Sequence, residues 1–104
     1  MVVRSDLPPG AQVAQAIHAA VEHALTHPEE VRGAPTLVVL ENPGHDWHLA
    51  YLAEDLTADG HVVTVFQEPD LDDEPTALAT VSAGSRRLRR LPLLLKIDAR
   101  EGVK

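Results

Sequence analysis

The fold is set by the start of the chain, residues 2–27, which read VVRSDLPPGAQVAQAIHAAVEHALTH. Residues 2–5 predict a short β-strand because they begin with two valines and end at polar residues. Residues 6–10 predict a turn, since two prolines and a glycine interrupt regular structure there. A helix is then expected over residues 11–27, ending before Pro28.

A line of large aliphatic residues runs along this predicted helix at a spacing of four. It consists of Val13, Ile17, Val21 and Leu25, with Ala16, Ala20 and Ala24 beside it. This spacing keeps the residues on one side of a helix. We therefore predict that the stripe is buried, and the many alanines indicate that the helix packs closely on a neighbouring surface.

Three further strands and two further helices are predicted downstream. The strands are 36–40, 61–66 and 76–81, and the helices are 43–58 and a short basic segment that follows Gly84 and Ser85 and ends at Pro92. Asn42 and Gly60 have the residue types favoured at the start and end of the longer helix.

Strands separated by helices favour parallel pairing, and strands joined by a loop favour antiparallel pairing. The order β-α-β-α-β-β-α therefore predicts an α/β fold with a mixed four-stranded sheet and helices on both faces. We expect one small domain over residues 1–95, followed by a polar tail over residues 96–104. Residues 93–95, three leucines, fit either an edge segment or a packed tail.

The composition narrows the chemistry open to this chain. Its 104 residues contain no cysteine, which excludes disulfides, thiol nucleophiles and cysteine-bound zinc. No apolar run is long enough to cross a bilayer, and the N-terminus lacks a signal-peptide pattern. The formal net charge is −7, which disfavours phosphate binding. The charge is uneven, however, and a compact basic patch can still bind RNA locally.

Gln15 and His18 are three residues apart, so they share one side of the helix near its N-terminus. Backbone N–H groups at a helix N-terminus attract phosphate or a developing oxyanion, and a histidine there can carry a proton. The alternative is a polar edge that ties the helix to a neighbouring loop by hydrogen bonds. The residues alone leave both interpretations open.

A second candidate group follows the predicted third strand. Glu68 and Asp70 come directly after that strand, and Thr76 begins the next. A carboxylate at such a strand end can orient water, and a hydroxyl can donate to a substrate oxygen. The alternative is a solvated acidic hairpin, since five carboxylates lie within residues 67–74.

Two further sets of polar residues have a functional and a simpler interpretation. The arginines are Arg86, Arg87, Arg89 and Arg90. They can contact RNA phosphates or pair with the acidic loop. The pairs His23/His27 and His45/His48 have spacings that suit a metal on a helix face. Neither pair has an obvious third ligand, so we expect solvated surface histidines and no metal site.

The opening of the chain resembles that of the type II peptidyl-tRNA hydrolases. The resemblance rests on residues 2–7, the Gly10 turn, Gln15 and residues 18–20. Residues 36–40 then correspond to the second strand of that family. Residues 66–79 correspond to its third strand, active loop and fourth strand. The Glu68–Pro69–Asp70 loop is similar to that of a divergent bacterial and phage branch. The lysine that other members carry at the helix start corresponds to Ala11.

The resemblance implies hydrolysis of the ester bond of peptidyl-tRNA or aminoacyl-tRNA by an oriented water, without a cofactor. The implied catalytic residues are Asp70, Glu68, Thr76 and Gln15. The implied substrate-binding residues are His18, Asp6, Arg86, Arg87, Arg89 and Arg90. The implied partner is tRNA in a bacterial cytoplasm, not DNA or a membrane, and the resemblance allows a homodimer. The alternatives are a non-catalytic module that binds RNA or protein and a small-molecule hydrolase.

Overall fold

The computed structural model describes residues 1–33, 38–42, 46–81 and 85–92. The strands are β1 (Val2–Arg4), β2 (Leu40–Asn42), β3 (Val63–Glu68) and β4 (Glu74–Thr80). The helices are α1 (Pro9–Thr26), α2 (Pro28–Val31), α3 (Asp46–Ala58) and α4 (Arg86–Arg89), and a 3₁₀ turn covers Pro69–Leu71. The predicted strand 36–37, the helix start 43–45 and the segment 93–104 lie outside the described residues.

The four strands form one mixed sheet in the order β2-β1-β4-β3. β1 pairs in parallel with β2 and antiparallel with β4, and β3 pairs antiparallel with β4. Successive strand residues point to opposite faces. Val2 accordingly packs with Leu49 and Leu56 of α3, whereas Val3 packs with Ala19 of α1. The predicted α/β fold, with a mixed four-stranded sheet and helices on both faces, is confirmed.

Two boundaries around α1 differ from the prediction. The helix begins at Pro9, inside the expected turn, because proline and glycine are tolerated where the first N–H groups lack helical partners. At the other end, α1 stops at Thr26, and Pro28, which was expected to end the helix, also starts the short helix α2. Because proline has no N–H group, it cannot continue α1, but it fits the first position of α2, where an N–H would have no helical partner.

β2 occupies a later position than expected. Val38 and Val39 precede the strand, and only Leu40 belongs to both the predicted and the observed element. Asn42, predicted as a helix cap, is a β2 residue paired with Arg4. Gly60 follows α3 with a positive φ of 94°, the left-handed conformation that suits glycine after a helix.

The expected acidic loop is partly strand. β3 extends to Glu68 and β4 starts at Glu74, and these two residues are paired across the strands. The connection is reduced to the 3₁₀ turn and two left-handed residues, Asp72 and Asp73, with φ of 54° and 59°. Asp tolerates this conformation better than most residues, which allows so tight a connection.

The predicted burial of the aliphatic stripe on α1 is wrong. Val13, Ile17, Val21 and Leu25 are all exposed. The buried side of α1 consists of Gln12, Gln15, Ala16, Ala19 and His23. The helix turns polar residues inward because the sheet beneath it offers small alanines and two buried threonine hydroxyls, Thr64 and Thr76, as partners.

Within the described ranges, no helix combines the length and the apolar character needed to cross a bilayer.

Candidate functional site

Three side chains from separate elements form one hydrogen-bonded group, which we call the Glu68 cluster. The hydroxyl of Thr76 donates to Oε1 of Gln15 over 2.6 Å. Nε2 of Gln15 donates to a carboxylate oxygen of Glu68 over 2.8 Å. The cluster therefore joins α1 to the end of β3 and the start of β4.

A β-bulge directs Thr76 into this cluster. The pairing of β3 with β4 shifts between Phe66 and Gln67 and leaves Thr76 as an extra residue in β4. By regular alternation Thr76 would face the same side as Leu78, which packs with α3. Its bond to Gln15 shows that it faces α1 instead. The bulge thus provides a buried hydroxyl where the strand pattern has none.

Glu68 has two donors in the described part of the chain. Besides Gln15, the backbone N–H of Asp70 donates to its second oxygen over 3.2 Å. The hydrogen bond from Gln15, followed by that from Asp70, lowers the pKa of Glu68 below its ordinary value. The carboxylate is therefore ionised at neutral pH. Because an ionised carboxylate only accepts, the amide of Gln15 must present its NH₂ to Glu68 and its oxygen to Thr76.

The residues of the Glu68 cluster differ in how far they are buried, and this indicates different roles. Thr76 is fully buried at 0% exposure, and Gln15 is 8% exposed, so both act from below the surface. Glu68 is half-buried, and Asp70 is exposed beside it in the 3₁₀ turn. Thr76 therefore fixes Gln15, and Gln15 fixes Glu68. The carboxylates of Glu68 and Asp70 remain open to solvent and can orient a water molecule.

His18 lies beside the cluster and stacks on Phe66. The two ring centroids are 4.9 Å apart and the planes differ by 8°. His18 is exposed and Phe66 is half-buried, so the pair presents a flat ring surface to solvent near Glu68. Such surfaces accept another planar ring, including a nucleobase.

Arg4, which was not among the predicted site residues, also belongs to this region. Its guanidinium makes two bonds to the Asp6 carboxylate, of 3.0 and 2.8 Å, and one of 2.9 Å to Glu74. These bonds, with Asp6 the largest cause, raise the pKa of Arg4. Asp6, predicted to bind substrate, is thus an ion-pair partner. The signal available in the sequence was an arginine two residues before an aspartate at a strand end.

Gln12 was also missed. Its side-chain NH₂ donates to the backbone oxygens of Ser5 and Leu7 in the turn between β1 and α1. Gln12 therefore holds the start of α1 against the end of β1. Because Gln15 is only three residues further along α1, this contact also fixes the position from which Gln15 reaches Glu68.

The arginines lie away from the Glu68 cluster. Leu88 of α4 packs against the apolar cluster under α3, so α4 is on the other side of the sheet from α1. Arg87 pairs with Asp59 at 2.7 Å and Asp55 at 3.6 Å, rather than with the acidic loop. Arg86 and Arg90 line a surface pocket with His61, which precedes β3. Glu68 ends β3, about 20 Å further along the strand.

The prediction that the paired histidines are solvated is wrong for His23. It is 2% exposed, and its Nδ1 lies 2.7 Å from the hydroxyl of Thr64. Burial, and then the nearby His27, lower the pKa of His23. His45 lies outside the described residues. In the part of the chain that the structure describes, no three histidine, cysteine or carboxylate side chains converge as a metal site.

Of the candidate residues, the fold joins Gln15, Glu68 and Thr76 by hydrogen bonds, places Asp70 and His18 next to them, and separates the arginines. Comparison with protein-family models, with curated proteins and with solved structures gives no match to this chain. The contacts around Glu68 therefore carry the functional proposal.

Proposed function

We propose that this chain hydrolyses the ester bond of peptidyl-tRNA or aminoacyl-tRNA with a water molecule oriented by Glu68. The observation that carries the proposal is a solvent-accessible carboxylate fixed by two donors, Gln15 and the backbone of Asp70. The proposal includes membership of the type II peptidyl-tRNA hydrolase superfamily and a place in translation in a bacterial cytoplasm.

The chemistry needs little more than a well-placed water. An ester between a carboxyl group and a ribose oxygen is already reactive, so holding water in line with the carbonyl carbon lowers much of the barrier. Glu68 accepts a hydrogen bond from the water and receives its proton as the oxygen attacks. The proton then passes to the leaving ribose oxygen. Because its pKa is lowered, Glu68 is a weak base and acts mainly by orientation.

The supporting residues have distinct roles in this proposal. Gln15 and Thr76 are positioning residues, since both lie beneath the carboxylate. Asp70 is the second water-positioning carboxylate. The His18–Phe66 ring pair is suited to stack the terminal base of an RNA strand. The arginine pocket, about 20 Å away, is suited to phosphates further along a long polyanion.

The test is turnover of purified peptidyl-tRNA by the full chain. Glu68→Gln keeps the shape of the side chain but removes its charge, and we expect at least a tenfold loss of kcat/KM, or about 1.4 kcal/mol. Asp70→Asn is expected to lower turnover at least tenfold as well. Asp72→Asn, in the same turn and with a backbone that asparagine also adopts, is the matched control and should retain activity.

A second candidate function is a non-catalytic RNA-binding module. It is favoured by the lack of any lysine before residue 96, because the family that the chain resembles carries a lysine at the start of this helix among its functional groups. The net charge of −7 weakens RNA binding in either case and does not separate the two candidates. If the wild-type chain binds tRNA in a salt-dependent manner without cleaving it, this second function replaces the first. Equal turnover by wild type and Glu68→Gln contradicts the role of Glu68.

A further inference from the structure

Helix α1 presents a line of large aliphatic side chains to solvent, which we call the α1 stripe. The exposed fractions are 41% for Val13, 55% for Ile17, 51% for Val21 and 78% for Leu25. Single exposed aliphatic residues are normal on protein surfaces, but a continuous row marks an interaction site. The row is continuous because residues four apart are neighbours on a helix.

The α1 stripe points away from both the sheet and the Glu68 cluster. At about 100° per residue, Ile17 lies roughly 160° around the helix from Gln15 and from Ala19. Gln15 and Ala19 are buried against the sheet. Helix α1 therefore has a polar side, which packs on the sheet, and an aliphatic side. Within the described residues of this chain, only the polar side is covered.

We propose that the α1 stripe is the interface of a symmetric homodimer, in which α1 packs against α1 of a second copy. Charge favours this partner. Between Pro9 and Thr26 the only formally charged side chain is Glu22, so no lysine or arginine on the helix attracts phosphate or an anionic lipid surface to the α1 stripe. Two acidic chains repel elsewhere, and they meet at least cost where neither presents a charge. This inference does not depend on the proposed function.

The stripe is complementary to itself under a two-fold axis. Such an axis between Ile17 and Val21 places each of these residues against the other in the second copy. It also places Val13 against Leu25. Rows of residues four apart form ridges inclined to the helix axis, and two such ridges run side by side when helices cross at about −50°. The small Ala20, beside the row on the helix surface, permits close approach of the helices.

The size of the interface predicts a weak dimer. An interface of standard size takes about 800 Å² from each partner, whereas the chain exposes 6832 Å² in total. The 18 residues of α1 span about 27 Å, so a single helix face supplies the lower part of that area. We therefore expect a dissociation constant in the micromolar range.

The test is sedimentation of the full chain from 1 to 500 µM. We expect the mass to rise from the 11.3 kDa monomer toward twice that value, and more readily at high salt, because salt screens the repulsion between acidic copies. Ile17→Glu should raise the dissociation constant at least tenfold. Val62→Glu, at an exposed valine outside α1, is the matched control and should leave it unchanged.

A second measurement does not depend on how the glutamate variant folds. Because the chain has no cysteine, Ile17→Cys and Val21→Cys each carry a single thiol. A mixture of the two variants should form disulfides faster than a mixture of Ile17→Cys with Val62→Cys. A monomer at 500 µM, a dimer that Val62→Glu weakens as much as Ile17→Glu does, or equal cross-linking in both mixtures would overturn the proposal.

Discussion

The two faces of the sheet differ in the kinds of side chain that pack on them. Under α3 the core consists of aliphatic residues, among them Leu49, Leu56 and Leu78, which are all fully buried. Under α1 the buried apolar residues of the cluster are a valine and three alanines, and the larger Met1, Val39 and Phe66 pack against them only partly buried. Between α1 and the sheet lie two buried hydrogen-bonded contacts, Thr76 with Gln15 and Thr64 with His23.

Because of this difference, one face mainly stabilises the fold and the other mainly positions polar side chains. Burial of large aliphatic side chains supplies free energy without fixing direction, so the α3 face stabilises the sheet. Hydrogen bonds contribute less net free energy but hold donors and acceptors at defined distances. The α1 face accordingly positions the carboxylate of Glu68. Mutations on the two faces should therefore have different consequences.

The largest effect is expected on the α3 face. Leu56→Ala removes a fully buried side chain and leaves a cavity, and we expect the free energy of unfolding to fall by about 2–5 kcal/mol. The measurement is urea denaturation at a low protein concentration. Leu25→Ala, at the most exposed residue of the α1 stripe, is the matched control and should change stability by less than about 0.5 kcal/mol. Equal effects would contradict the assignment of the core.

A smaller effect is expected on the α1 face. Thr76→Val keeps the shape of the side chain but leaves the buried Oε1 of Gln15 without its donor, which should cost about 1–3 kcal/mol. Thr80→Val, in the same strand, removes an exposed hydroxyl bonded to the backbone of Val62 and is the control, with an expected loss below about 0.5 kcal/mol. If both variants lose the same stability, Thr76 is not a special positioning residue.

Much of the fold could be predicted from local signals. Turn residues and apolar runs located α1, α3, β3 and β4 to within a few residues, because each element carries its own periodicity. β2 was misplaced, since its three observed residues include Glu41 and Asn42, which carry no strand signal. Its position is fixed by pairing with β1, a contact between distant parts of the chain.

The face on which α1 packs could not be predicted. A row of aliphatic residues at helical spacing indicates that one side of a helix avoids water, but not whether the sheet or another chain covers it. The polar side of α1 faces the sheet because the hydroxyls of Thr64 and Thr76 form hydrogen bonds with His23 and Gln15. These partners are 41 and 61 residues apart in the sequence. For Thr76 that contact also requires the β-bulge, which has no signature in the residues themselves.

The residues of the Glu68 cluster were selected from the sequence, but the hydrogen bonds between them were not predicted. Gln15, Glu68 and Thr76 were selected because they lie at a helix start and at strand ends. The ion pair of Arg4 with Glu74 could not be predicted, since an arginine after two valines indicates only the end of a strand. Its partner Glu74 lies 70 residues away, and only the pairing of β1 with β4 brings the two together.

The smallest effect is a pH dependence of stability that originates on the α1 face. Burial lowers the pKa of His23 from its ordinary value of 6.5, so the unfolded chain binds a proton at a higher pH than the folded chain does. The stability that neutral His23 provides is fully present above pH 6.5 and is lost as the pH falls below it. For one group the slope cannot exceed about 1.4 kcal/mol per pH unit.

Urea denaturation at pH 7.5 and at pH 5.5 tests this expectation, because carboxylates with lowered pKa values, such as Glu68, lose their contribution only in more acidic solution. We expect wild type to be less stable at pH 5.5. His23→Gln can still bond to Thr64 but has no proton to gain, so its stability should change less between the two conditions. His27→Gln removes only the lesser cause of the lowered pKa and should keep most of the dependence. A wild-type chain equally stable at both pH values would show that the α1 face tolerates a charged imidazole, contrary to its burial.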